Sequence, residues 1–326
     1  MSNDLSNRGP MITSVLRQST TGVNPPFAPK GLSAKLCLSL ARAFTSGRLT
    51  RFSLRRRAPG ARFESQENYL AQTISRAGEK YRGLFAEFST FSDKSVLELG
   101  CSSGYLLAEF LAWEQFHALG ADIDADALAR GRSMYGDKIT FLHSSSSSIP
   151  LPDASVDIIY TIDTVEHLSR PQDIFNDCCR ILKPGGTLLI HFDPWLSPWG
   201  AHLDDIIPFP WPHLVFSMDT LLSVAAYLYQ SDEYVPAWYW FDPETGTRRE
   251  NPYMDRRRWD EFLNRMTLRQ FIRLVKTLPL RVVHVRRVGF SGRAYSWARV
   301  LKGLAQVPVL NEFFSSSMFC VLEKPR

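Results

Sequence analysis

Residues 96–104, Val-Leu-Glu-Leu-Gly-Cys-Ser-Ser-Gly, constrain this chain more than any other stretch. Val96, Leu97 and Leu99 make a short apolar run of buried-strand character, and Gly100 and Gly104 bracket a tight turn. Residues 105–113 then have the apolar content of a helix. A strand that turns through glycine into a helix lets backbone approach a ligand closely and offers unpaired N–H groups at the helix start. The spacing is not that of a dinucleotide site, which takes three glycines as G-x-G-x-x-G. Here the pattern is E-x-G-x-x-x-G, and a Glu98 carboxylate just before the first glycine would repel a pyrophosphate. It suits a cationic ligand instead.

The elements downstream repeat the strand–helix alternation. A second strand ends in Gly120-Ala121-Asp122, which puts Asp122 22 residues after Gly100 at a strand tip. A carboxylate there can accept from both hydroxyls of a ribose. Asp124 competes for that role but reads better as the N-cap of a helix over 125–135. The pattern predicts a third strand at 139–142 and, after the turn IPLPDAS at 149–155, a fourth at 156–160. The segments IDTVEH (162–167) and LKPGGT (182–187) follow, the latter leading into a fifth strand at 188–192. Thr267 is a plausible N-cap for a helix over 268–278, and 281–288 alternates as a strand with Val283, Val285 and Val288 apolar. Residues 317–322 would form a last, antiparallel strand.

This series, E-x-G-x-x-x-G, Asp122, IPLPDASVD, EH and LKPGG in that order, resembles the class I S-adenosylmethionine-dependent methyltransferases. The likeness is to their small-molecule branch, which includes the ubiquinone- and menaquinone-biosynthesis-like enzymes. It runs from about residue 64 to the end of the fifth strand and more weakly to the C-terminus. The resemblance implies an α/β fold: a Rossmann-like seven-stranded sheet in the order 3-2-1-4-5-7-6 with helices on both faces. It also implies S-adenosylmethionine as cofactor. Glu98, Gly100, Cys101, Ser102 and Gly104 would hold the methionine part and sugar edge, and Asp122 the ribose. Ile123 would pack on the adenine, with Ile162 at the end of the fourth strand. The family often carries an acid that reaches the adenine amino group, and here that place is Ser145, followed by Ser146 in a serine run over 144–148. A hydroxyl is a neutral and weaker acceptor; a serine loop without adenine contact is the alternative.

The reaction implied is an in-line methyl transfer to a small acceptor, in which the protein positions the reactants and excludes water. His167, after Glu166, and His202 are candidate bases, and Asp163 is a candidate orienting or amine-binding group. The competing reading is a non-catalytic cofactor-binding or assembly partner on the same fold, favoured only by Ser145. Beyond the fifth strand, Trp195, Trp199, Trp211, Trp238 and Trp240 are five of the eight tryptophans and fall within fewer than fifty residues. Interleaved with prolines, they read as an irregular aromatic cap inserted at about 194–262, which suits a hydrophobic or aromatic acceptor. Rings that only pack the cap are the alternative.

Charge is unevenly placed. Residues 5–63 contain eleven Lys and Arg and no Asp or Glu, whereas the whole chain is +5, so the rest is net −6. The basic character belongs to a leader at 1–30, expected to be disordered, and a basic tail at 31–62; the methyltransferase domain would span 63–326. In the tail, Leu32, Leu36, Leu40 and Phe44 recur every fourth residue, with Cys37 and Ala43 beside them, as the apolar face of a short helix, with Lys35 and Arg42 off it. Such a tail reads as a helix packed on the domain, an anionic-membrane contact, or an organelle transit segment. The motif NPPF at 24–27 matches a signature of DNA amino-methyltransferases, but the fourth strand closes with Thr161-Ile162-Asp163-Thr164 instead. With an acidic domain, that argues against a nucleic-acid acceptor. The five cysteines form no C-x-x-C pair, so neither a metal framework nor a disulfide scaffold is expected, and a reducing, cytoplasmic setting is.

Overall fold

The computed structural model describes residues 29–45, 66–231, 250–290 and 296–326. Most of the expected leader with its NPPF motif, the tail residues 46–62, and the aromatic stretch 234–241 with Trp238 and Trp240 lie outside the described residues. The chain divides into two compact units: one made of residues 1–66, 201–259 and 293–296, the other of 67–200, 260–292 and 297–326.

The larger unit is built on one sheet. In chain order it contains α2 (Gln66–Ala86), β1 (Ser95–Leu99), α3 (Tyr105–Leu111), β2 (His117–Asp122), α4 (Ala125–Tyr135), β3 (Ile139–His143) and β4 (Val156–Ile162). After a 3₁₀ turn at Val165–His167 come α5 (Pro171–Ile181), β5 (Leu182–Phe192), α9 (Leu268–Thr277), β6 (Arg281–Gly289), α10 (Asn311–Phe314) and β7 (Ser315–Glu323). The strand order is β3-β2-β1-β4-β5-β7-β6, as expected, with β1 to β5 parallel and β7 antiparallel to both β5 and β6. Alternation along β1 feeds two cores. Leu97 and Leu99 join Phe175 of α5 and Phe271 of α9 on one face. Val96 joins Phe85 of α2 and Phe110 of α3 on the other. A sheet covered on both faces is what near-continuous apolar strands require.

Several boundaries differ from the sequence reading. Helix α3 stops at Leu111, β4 continues to Ile162, and β5 starts at Leu182. The early start of β5 has a long-range cause: Leu182 is in register with Val156, and Gly185 and Gly186 exchange backbone bonds with Lys324. Among the described residues strand β6 pairs with β7 alone, at the edge of the sheet, and its apolar positions Val283, Val285 and Val288 are each about 40% exposed. Two local signals hold to the residue. Asp124 accepts from the N–H groups of Asp126 and Ala127 at the start of α4, and Thr267 forms a capping box with Gln270 at the start of α9.

The smaller unit joins α1 (Leu32–Thr45) to α6 (Pro212–Val215), α7 (Met218–Gln230) and the turn at Pro252–Met254; α8 (Arg256–Phe262) begins in it. Its core contains Leu221, Val224 and Leu228 of α7 and the stacked rings of Tyr253 and Trp259. The helix α1 turns inward a face rotated from the expected one: Leu40, Phe44 and Cys37 pack on the core of the smaller unit, but Leu32 and Leu36 do not. Ala34, Cys37, Leu38 and Ala41 are buried, while Leu32 is 84% and Leu36 53% exposed. A four-residue repeat advances about 40° per step around an α-helix, so the run from Leu32 to Phe44 spirals across the surface rather than forming a stripe. The buried set has the i, i+3, i+4, i+7 spacing of a true face, and its small side chains let α1 lie close to α7.

Candidate functional site

The turn after β1 is stitched to the end of β2. The Gly100 and Cys101 N–H groups both donate to the Ala121 carbonyl, at 2.8 and 3.2 Å. Gly100 sits at φ +81° and Gly104 at +76°, a region that side chains with a Cβ avoid. Space is denied as well: a Cβ on Gly100 would collide with the Thr164 side chain, and one on Gly104 would lie 2.7 Å from the Phe141 ring. Asp122 completes the stitching. Its Oδ2 accepts from Ser102 N at 2.7 Å and its Oδ1 from Asp124 N at 2.9 Å. A carboxylate has about four acceptor positions, so two remain for hydroxyl donors. Beside it Ile123, a large apolar side chain, is 65% exposed, as a flat ring's packing partner would be.

Glu98 and Cys101 lie beneath this turn, both buried. Burial pushes the Glu98 carboxyl up to about 8, against the pull of the neighbouring Tyr160 hydroxyl; Asp122 adds to the rise, and the Leu107 N–H lowers it. Its Oε2 has no hydrogen-bond partner among the described residues. A buried acid with a vacant oxygen fits a cationic group nearby. Burial also pushes the Cys101 thiol up, so it is a packing residue rather than a nucleophile.

The serine run is an ordered turn. Ser145 Oγ accepts from Ser147 N at 3.3 Å and Ser148 N at 3.0 Å and donates to Ser148 O. A hydroxyl has two lone pairs, and both are spent here. The role expected of Ser145, accepting from an adenine amine, would require opening that turn. Ser146 is exposed at its tip, and Ile162, partly exposed, ends β4.

At the carboxyl ends of β4 and β5 the structure gathers polar residues from three distant elements. Asp163 follows β4 with φ +49°, and its Oδ1 lies 2.9 Å from His191 Nδ1 on β5. The Tyr81 hydroxyl of α2 is 3.3 Å from the same nitrogen. Burial first, then the charges of Asp163, Asp193 and Glu166, push the Tyr81 hydroxyl far up, so it stays protonated. Glu166 is buried, which holds its carboxyl well above the usual range. His167 sets Nδ1 2.8 Å from the Phe262 carbonyl, and burial lowers its pKa against that bond. A histidine whose Nδ1–H donates to a carbonyl keeps its lone pair on Nε2. His202 belongs to the smaller unit, at φ +52°. The sequence reading missed His191 and Tyr81; a histidine inside the apolar run 188–192 was the available signal.

Residues 97–190 match the family model of a methyltransferase domain. The chain is 35% identical over 97 residues to a probable S-adenosylmethionine-dependent methyltransferase of Mycolicibacterium smegmatis, covering 30% of this chain and 37% of that protein. It is 31% identical over 110 residues to an uncharacterized methyltransferase of Mycobacterium bovis, covering 33% and 43%. The chain thus spans under half the length of these curated relatives. Among solved structures, geranyl diphosphate methyltransferase in complex with S-adenosylmethionine superposes with a TM-score of 0.50 at 10% identity, over 82% of this chain and 93% of that one, which bears on fold alone. Residues 97–190 thus match the methyltransferase-domain family, and the strand order and glycine turn are those of the class I S-adenosylmethionine-dependent methyltransferase fold.

Proposed function

We propose that the chain transfers the methyl group of S-adenosylmethionine to a small hydrophobic or aromatic acceptor. The observation that carries this reading is the double use of Asp122, which pins the glycine turn through Ser102 and retains acceptor positions for a ribose. Gly100 to Gly104, Asp122 and Ile123 would hold the cofactor, with Glu98 bracing the turn from below and Ile162 and Ser146 at the rim. The cofactor supplies a methyl group already activated on a sulfonium, so the protein's task is placement, exclusion of water and disposal of a proton.

Two groups of the larger unit can receive that proton: His167 through Nε2, and Asp163, whose carboxylate is half-exposed beside β4. An apolar acceptor is supported by the rings of the same unit, where Trp199 meets Phe290 at 5.9 Å and Arg265 lies 5.3 Å from the Trp195 ring. The five cysteines are all free and buried, which supports a reducing, cytoplasmic setting. No helix among the described residues is long and apolar enough to cross a membrane. Leu32 and Leu36, exposed beside Lys35, support a peripheral contact of the basic tail with an anionic surface.

Calorimetric titration with S-adenosylmethionine and S-adenosylhomocysteine tests the reading, with Asp122→Ala as control. Micromolar binding that is lost in the variant supports it. Folded protein that binds neither ligand overturns it in favour of an assembly role for the domain.

A further inference from the structure

His191 is a buried polar residue that the cofactor site does not use. It is 3% exposed within the apolar end of β5, where an imidazole costs stability unless hydrogen-bonded. Its partner Asp163 is tied to it twice: Nδ1 to Oδ1 at 2.9 Å, and the Asp163 backbone N–H to the His191 carbonyl at 2.9 Å. Tyr81 meets the pair from α2, its ring edge-on to the imidazole at 5.1 Å and its hydroxyl 3.3 Å from Nδ1, beside the Asp163 carboxylate. Lys80 Nζ donates to that hydroxyl at 3.0 Å, which leaves the phenol proton for the carboxylate. The other charged groups facing the pair are Asp193, within 4.8 Å of both, and Glu166 and His167.

The tautomer follows from these contacts. A carboxylate is the strongest acceptor present, so Nδ1 carries the proton and donates to Asp163. That leaves a lone pair, rather than an N–H, at Nε2, which has no hydrogen-bond partner among the described residues. Asp163 also holds a left-handed backbone conformation, a local cost that persists where surrounding contacts over-determine it.

We propose that His191 and Tyr81 are a positioning pair that holds the Asp163 carboxylate ionised at the end of β4 to take the proton of a protic acceptor, one whose attacking oxygen or nitrogen bears hydrogen. The inference rests on the methyl-transfer reading above. In the step it describes, the acceptor atom bonds to the methyl carbon as the carbon–sulfur pair leaves with sulfur. The acceptor's proton passes to Asp163, so the positive charge of the sulfonium and the negative charge of the carboxylate cancel.

The test is carbon-13 NMR titration of aspartate-labelled full-length protein, with the Asp163 carboxyl assigned by Asp163→Asn. His191→Phe keeps a ring of similar shape and removes the donor; His191→Asn returns an N–H near the Nδ1 position. The Asp163 carboxyl is expected to bind its proton at least tenfold more tightly in His191→Phe and to return toward wild type in His191→Asn. Should His191→Phe fail to fold, Tyr81→Phe is expected to shift the same titration in the same direction. S-adenosylhomocysteine affinity is expected to stay within about twofold in every variant, which separates this inference from the cofactor reading. An Asp163 titration that does not move when the donor is removed, in protein that remains folded, overturns the proposal.

Discussion

Asp122 accepts the Ser102 backbone N–H at 2.7 Å, so one carboxylate at the tip of β2 fixes the turn that leaves β1. The ligand contact expected of Asp122 and the shape of the glycine turn are therefore not independent.

Asp122→Ala is expected to weaken S-adenosylhomocysteine binding more than tenfold and to lower the melting temperature as well. It deletes two charge-assisted bonds to backbone, each of about 1.5–3 kcal/mol. Asp122→Asn, which keeps acceptor capacity on one oxygen, should recover part of the thermal stability and little of the affinity. Calorimetry beside thermal denaturation distinguishes the two losses.

Gly100→Ala should destabilise the larger unit by more than the about 1–2 kcal/mol that a left-handed alanine costs, because its Cβ also collides with Thr164. Adding Thr164→Ala is expected to relieve the collision and leave the conformational cost. Denaturant melts of the single and double variants give the two contributions by difference.

The Glu98 carboxyl rises from an ordinary value of 4.5 to about 8 in the fold. Its contribution to stability is complete below the lower value and is lost as pH rises through the upper one. Ligand-free protein is thus expected to melt at progressively lower temperature as pH rises from about 5 to about 8.5. Glu98→Gln, neutral throughout, should flatten that slope; an unchanged slope would assign the dependence to other groups.

Helix α1 offers a test of which face is inside. Ala34→Glu places a charge against the core of the smaller unit and should cost about 2 kcal/mol or more. Leu36→Glu, on the outward face, should stay within about 0.5 kcal/mol. Chemical denaturation followed by tryptophan fluorescence reads both.

What the sequence made legible was local. The turn at Gly100–Gly104 and the N-caps at Asp124 and Thr267 each depend on residues within a few positions of one another, and each stands where the pattern put it. The face of α1 was half legible: Leu40 and Phe44 of the four-residue repeat reach the core, while Ala34, Cys37, Leu38 and Ala41 make its centre. The vicinity of Asp163 was only half legible. His191 lies 28 residues from Asp163 and Tyr81 110 residues from His191, and only the packing of α2 on the sheet brings them together. The Ser145 turn shows the same limit: five serines in a row say nothing about which hydroxyl turns back on its own backbone.

The buried face of α1 has a consequence for how the chain is made. Residues 32–45 leave the ribosome well before the helix they pack on, α7, which begins at Met218 and follows the whole of β1 to β5. Until α7 emerges, Ala34, Cys37, Leu38 and Ala41 lack the helix they lie against, while β1 to β4 between can already pair with one another. Each unit therefore waits on the other's stretch of chain: α1 waits for α7 across the whole of β1 to β5, and the sheet waits for β7, which follows α7 and supplies the strand between β5 and β6.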